Sequence, residues 1–204
     1  MIPKIVVATF LIALSALFTV PAMPQAYAGA SLVCITTVGS KCSTRALVQF
    51  TGTVGSQLTI WIAIHSSLIN GFDIIVIADH TFLSPVSADF STGIFGPSGK
   101  HPGSVFKYCV ADADQIGGGC STVDTLDTVH LALTAVGTGL TGHHTVGQLF
   151  SITYNIVALP SSPIPVAFQT GCTTTSVAGT TDCALITNGS TSPVSVSALN
   201  ATFL

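Results

Sequence analysis

Clean alternation of apolar and polar residues, the period-two signature of a half-buried strand, sets the limits on what this chain can fold into. Gln148-Leu149-Phe150-Ser151-Ile152-Thr153-Tyr154-Asn155-Ile156-Val157 alternates throughout, and Gln57-Leu58-Thr59-Ile60-Trp61-Ile62-Ala63-Ile64 reads as a second long strand. Successive side chains of a strand leave on opposite faces, so each segment needs a core on one side only. Residues 46–50, 105–110, 128–136, 182–187 and 194–203 carry further strand patterns, and strand signals resume at Val166 after Pro160, Pro163 and Pro165. No helical periodicity of useful length follows residue 28, and no internal repeat is visible. Roughly nine short strands separated by turns predict an all-β fold of two packed sheets, a β-sandwich.

The segment from Asn70 to Phe90 is the most individual part of the pattern. Asn70-Gly71 is a turn signal, and residues 72–77 are almost all apolar and β-branched, as in a strand covered on both faces or central in a sandwich. A short loop with Asp79 and His80 follows, then Leu83-Ser84-Pro85-Val86 leads to a second turn. Residues 91–103 and 138–147 are rich in Gly, Pro, Ser or Thr and read as loops, as does the stretch around Gly117-Gly118-Gly119.

Residues 1–28 have the three parts of a secretory signal: the single charge of Lys4, an apolar run over 5–20, and the small-residue site Ala26-Tyr27-Ala28. The run of about 16 residues is shorter than the ~20 that span a bilayer, and Pro21 and Pro24 follow it. Cleavage after Ala28 would leave one domain, residues 29–204, with 29–45 as a cysteine-containing lead-in and no membrane span. Export makes the chain secreted or extracellular, free or held at a cell surface by partners.

Charged residues are 6% of the chain, with eight Asp, no Glu and five basic residues. Nucleic-acid binding needs a basic stripe to offset phosphate charge and is excluded. Disorder pairs high polarity with low hydrophobicity, whereas this chain is 48% hydrophobic with a mean hydropathy of +0.72. Its surface must be largely Thr, Ser, Gly and Asn, weakly protected by charge against self-association.

Six cysteines in an oxidising compartment predict disulfides. The sequence allows 15 connectivities, of which local pairing is the simplest: Cys34 with Cys42, Cys109 with Cys120, Cys172 with Cys183. Such short loops gain about 2–3 kcal/mol each and pin loops rather than hold the core. With no Cys-x-x-Cys, a zinc site is disfavoured. Asp112, Asp114, Asp124 and Asp127 flank the triple-glycine loop. If the flanking strands pair, these carboxylates gather at one end of a hairpin, where an irregular Ca²⁺ site is the functional reading and four solvated loop residues the bland one. No other cofactor is expected. His143-His144 are neighbours in a loop, and His65, His80, His101 and His130 show no ligand spacing. Asn188-Gly189-Ser190 and Asn200-Ala201-Thr202 are glycosylation sequons, making Asn188 and Asn200 candidate acceptors.

Catalytic motifs are lacking. There is no Gly-x-Ser-x-Gly elbow, Gly96-Pro97-Ser98-Gly99-Lys100 continues to His101 and so is no phosphate loop, and without Glu no carboxylate pair is singled out for glycoside hydrolysis. The chain is therefore not expected to be an enzyme. Trp61, Tyr108 and Tyr154 would make a carbohydrate platform if exposed in a row, but the alternation around Trp61 and Tyr154 favours at least partial core duty.

The order of these features resembles the cohesin domain, a jelly-roll β-sandwich related to cellulose-binding modules. The residues that carry it are 59–64, Gly71-Phe72, Ala78-Asp79, Leu83-Ser84-Pro85-Val86 and Gly93. Further on come 129–136, the strand opened by Gly147 through Tyr154, and the closing Ile186-Thr187-Asn188-Gly189-Ser190. The resemblance covers roughly 47–203. His80 replaces the Pro common after the Asp, and the cysteine pairs are foreign to the family pattern. The resemblance implies a jelly-roll topology and a non-catalytic module that binds a protein module or a polysaccharide, in polysaccharide breakdown at the cell surface. The alternative is a structural subunit of an extracellular fibre or surface layer, self-assembling through sheet edges.

Overall fold

A computed structural model of the chain describes residues 31–37, 42, 48–66, 71–99, 102–135, 145–169, 183–186 and 196–204. In chain order the strands are β1 (Ser31–Thr36), β2 (Val48–Phe50), β3 (Gln57–Ser66), β4 (Gly71–Ala78), β5 (Leu83–Asp89), β6 (Gly103–Val110) and β7 (Ala113–Asp114). Then follow β8 (Thr128–Ala135), β9 (Thr145–Ile156), β10 (Ile164–Phe168), β11 (Cys183–Ile186), β12 (Val196–Leu199) and β13 (Ala201–Phe203). No helix occurs among the described residues, and none there is long and apolar enough to cross a membrane.

The strands form two sheets. The smaller has the order β12-β1-β3-β9-β5, and the larger β2-β13-β10-β4-β8-β6-β7, with β11 also pairing β4. The strand count exceeds the expected nine by four, through β1, β5, the two-residue β7 and the division of the final stretch. The lead-in before residue 46 contains β1, which pairs with β3 from Leu32↔His65 to Thr36↔Trp61. Leu83-Ser84-Pro85-Val86 lies inside β5, whose register shifts between Pro85 and Ser87, so the alternation is broken there. The final stretch is two strands, β12 joining the smaller sheet by a parallel pair with β1, and β13 the larger by an antiparallel pair with β10 and a parallel one with β2.

Alternation decides what each sheet buries. Ile60, Ile62 and Ile64 of β3 and Phe150, Ile152, Tyr154 and Ile156 of β9 face Phe72, Ile74 and Val76 of β4 and Val129, Leu131 and Leu133 of β8 in one core. Phe72 is its hub, stacked on Phe150 at 5.5 Å and tilted against Phe95 at 5.9 Å. Phe95 comes from the 91–99 segment, read as plain loop. It is fully buried because the loop lies against β9: Ile94 N–H donates to the Gln148 carbonyl. A Cβ on Gly93 would come within 1.8 Å of the Leu149 carbonyl oxygen, so only glycine permits this approach. Tyr154 is core, but Trp61 is only partly buried and, by alternation, lies on the outer face of the smaller sheet.

Cys34 and Cys42 are joined with their Cα atoms 5.6 Å apart, and Cys109 and Cys120 with theirs 5.8 Å apart. Residues 1–28, Cys172 and hence its expected bond to Cys183, Asn188 and His143-His144 lie outside the described residues.

Candidate functional site

The outer face of the larger sheet follows from the same alternation. With Phe72, Ile74 and Val76 inward, β4 turns Asp73, Ile75 and Ile77 outward; β8 turns out His130 and Ala132, and β10 Pro165 and Ala167. Ile75 pairs with His130 and Ile77 with Ala167, so these residues share one surface.

The segment joining β6 to β8 carries the four aspartates of the sequence-based calcium expectation, and it distributes them rather than gathering them. Asp112 is exposed in the tight β6–β7 turn, where Ala111 and Asp112 take φ of 49° and 65°. Asp114 accepts backbone N–H bonds from Ile116 (2.9 Å), Gly117 (3.0 Å) and Gly119 (2.6 Å), which hold its carboxyl below the ordinary range. Gly117 and Gly119 adopt φ of 80° and 73°, a backbone that explains the glycine run. Asp124 is buried: Oδ2 accepts from Ser121 N (2.6 Å) and Oγ (2.8 Å), and Oδ1 meets His130 Nδ1 at 2.7 Å. Asp127 Oδ1 accepts from His80 N at 2.8 Å and meets His80 Nδ1 at 2.6 Å. No three of these four carboxylates lie within 4.8 Å of one another, so the structure forms no common oxygen cage from them. Asp124 does lie near Cys109 and Cys120, but those sulfurs are bonded to each other and are not thiolate ligands.

His130, which shows no ligand spacing in the sequence, has the most elaborate surroundings. Its side chain is 8% exposed and its second nitrogen, Nε2, meets Asp73 Oδ1 at 2.6 Å. Burial pulls the imidazole pKa down, but the hydrogen bonds and charge of Asp73 and then Asp124 outweigh it, and the net shift is upward. Asp124 shows the converse balance: burial raises its pKa, while the Ser121 bonds and His130 bring it below the ordinary value. The sequence signal was present in Asp73, the single charge inside the apolar run 72–77.

Beside this network is a cleft of about 450 Å³ with an apolar floor from Ile77, Pro165, Ala167 and Phe168 and two carboxylates, Asp79 and Asp127, at its rim. Asp79 Oδ1 accepts from Thr81 Oγ1 (2.6 Å) and N (2.9 Å), which lowers its pKa. Among the described residues nothing bonds the second oxygen of either rim carboxylate. Asp79, His80 and Asp127 each bring one potential ligand atom within 4.8 Å of the others. His80 Nδ1 and Asp127 Oδ1 face each other at hydrogen-bond distance, so a metal would have to displace that hydrogen bond. Lys107 is the only Lys or Arg among the described residues, and its ammonium goes to the Gly119 carbonyl rather than to the rim.

The opposite outer face, on the smaller sheet, is polar. Its cross-strand rows are Gln57–Asn155–Ser84, Thr59–Thr153–Ser87 and Trp61–Ser151–Asp89. Gln57 donates to Asn155 at 3.2 Å and the Thr59 and Thr153 hydroxyls meet at 3.2 Å. The sequon residue Asn200 is exposed between β12 and β13, and its Oδ1 accepts from Phe168 N at 3.0 Å.

No family model and no curated protein matches the sequence. Solved structures do match the fold. The sixth cohesin of Acetivibrio cellulolyticus scaffoldin B, solved with a Cel5 dockerin, aligns at TM-score 0.52 and 17% identity over 85% of this chain and 97% of that one. The third ScaC cohesin of the same organism, solved with the ScaB dockerin, gives 0.54 and 10% over 85% and 96%. A non-cellulosomal cohesin from the archaeon Archaeoglobus fulgidus gives 0.50 and 11% over 86% and 90%. The chain therefore has a cohesin-like, jelly-roll β-sandwich fold.

Proposed function

We propose that this chain is an exported, non-catalytic binding module that receives a partner protein module on the outer face of its larger sheet. The observation that carries the reading is the cleft: an apolar floor on the sheet, rimmed by two carboxylates that no Lys or Arg of the described residues pairs. An apolar floor gains from desolvation and an acidic rim selects charge, so the fitting partner presents an apolar side chain next to Lys or Arg. Dockerin-type modules are the first class to try, because cohesins of the same fold have been solved with dockerins bound. The leader at 1–28, the bonded cysteine pairs and the low surface charge support a secreted or cell-surface setting.

A second reading, a neutral polysaccharide ligand, is favoured by the polar rows on the smaller sheet, where Trp61 stands among hydroxyl and amide side chains. One experiment separates the two: the protein is passed over immobilised dockerin modules and over insoluble neutral polysaccharides. The first reading expects saturable capture on a dockerin that falls more than tenfold in Ala167→Arg, which fills the cleft floor. Capture by polysaccharide alone, with Ala167→Arg binding as well as the parent, would overturn it in favour of the second.

A further inference from the structure

His130 is set between two carboxylates that differ sharply in their surroundings. Asp124, on Nδ1, has a side chain with no exposure and both oxygens bonded; Asp73, on Nε2, is 38% exposed. Contacts of 2.6 and 2.7 Å on both ring nitrogens need a proton on each, because a ring nitrogen without its proton is an acceptor and would face an acceptor oxygen. The arrangement is therefore that of an imidazolium donating to both sides.

We propose that His130 is a proton-gated tether for Asp73. With the ring protonated, the Asp73 carboxylate is held against the outer face of the larger sheet. When the ring loses a proton, one contact must open, and the burial difference decides which. Releasing Asp124 would strand a carboxylate away from water, whereas Asp73 can turn to solvent at little cost. The proton therefore leaves from Nε2, Nδ1–H stays on Asp124, and Asp73 swings free. The face then changes by one unit of negative charge, from two carboxylates and a cation to two carboxylates beside a neutral ring.

The groups facing His130 support this. β4 contributes Asp73, and the segment before β8 contributes Asp124. β6 places Cys109, locked in its disulfide, opposite His130, and Lys107 opposite Ala132, with its ammonium turned to the Gly119 carbonyl. Neither supplies a competing proton acceptor. The raised imidazole pKa agrees with the geometry and sets the transition above the ordinary histidine value of about 6.5.

The test needs no partner and so stands apart from the docking reading. Long-range ¹H–¹⁵N spectra of the ¹⁵N-labelled protein, followed with pH, report each ring nitrogen of His130, and ¹³C spectra report the Asp73 carboxyl. Expected are two protonated nitrogens at pH 6, loss of the Nε2 proton alone at a midpoint above 6.5, and an Asp73 carboxyl shift with the same midpoint. The conservative Asp73→Asn variant should fold and lower the His130 midpoint by removing one carboxylate. A neutral ring at pH 6, loss of the Nδ1 proton instead, an Asp73 carboxyl silent through the transition, or an unmoved midpoint in Asp73→Asn would each overturn the tether.

Discussion

Phe72 and His130 lie on neighbouring strands but on opposite faces of the larger sheet, and each shows how a single side chain is used. Phe72 meets both Phe150 of the facing sheet and Phe95 of the 91–99 loop, so its removal opens a cavity bordered by three elements. Phe72→Ala should lower stability by about 3–5 kcal/mol in denaturant titration, with little change in the slope. His130 and Asp124 instead make stability depend on pH. The raised His130 pKa means its contribution is fully present below about 6.5 and is lost as pH rises through its own higher value. The lowered Asp124 pKa means its contribution is present above about 3.8 and is lost as pH falls through its own lower value. The melting temperature should therefore be highest between roughly pH 4 and 6.5 and fall on both sides, with the alkaline fall reduced in His130→Gln. An alkaline fall of equal size in that variant would assign it to another group. Asp73 is an odd charge in an apolar strand, but its partner His130 is 57 positions away, a distance that local spacing rules do not reach.

At the scale of elements, the strands legible in the sequence are β3, β4, β8 and β9, through unbroken alternation or continuous apolar runs, and β2, β6, β10 and β11, through shorter patterns. β5 was obscured by Pro85 and the register shift beside it, and β1 because its pattern sits in the cysteine-bearing lead-in. For the β6–β8 segment the sequence leaves two readings open, an irregular Ca²⁺ site or four solvated loop aspartates. Its chemistry is set by what each carboxylate can reach: Asp114 closes its own glycine loop, Asp124 turns inward to His130, and Asp127 turns to His80. The Cys109–Cys120 bond ties this segment to β6 and spans 11 positions of sequence. Replacing both cysteines by serine should cost about 3 kcal/mol, by the entropy of closing so short a loop. The fold should persist in that variant, because the core between the sheets involves neither sulfur, and far-ultraviolet circular dichroism with a thermal melt checks both points.

At the scale of the whole molecule, the two sheets present unlike outer faces on one shared core. The smaller shows rows of hydroxyl and amide side chains with Trp61, the larger an apolar cleft with Asp79 and Asp127 at its rim and the Asp73–His130–Asp124 network beside it. Residue patterns carried the sandwich and its cohesin resemblance, since both rest on the order of strands and turns. They did not carry the cleft, which is assembled from β4, β10 and the segment before β8 and exists only once the sheet has formed. Docking of a protein module on this cleft is tested by titration calorimetry of the protein against a panel of dockerin modules, with Ala167→Arg alongside. One saturable site is expected for at least one dockerin, weakened more than tenfold in Ala167→Arg while the melting temperature holds; heats absent across the panel, or equal affinity in the variant, would contradict docking there.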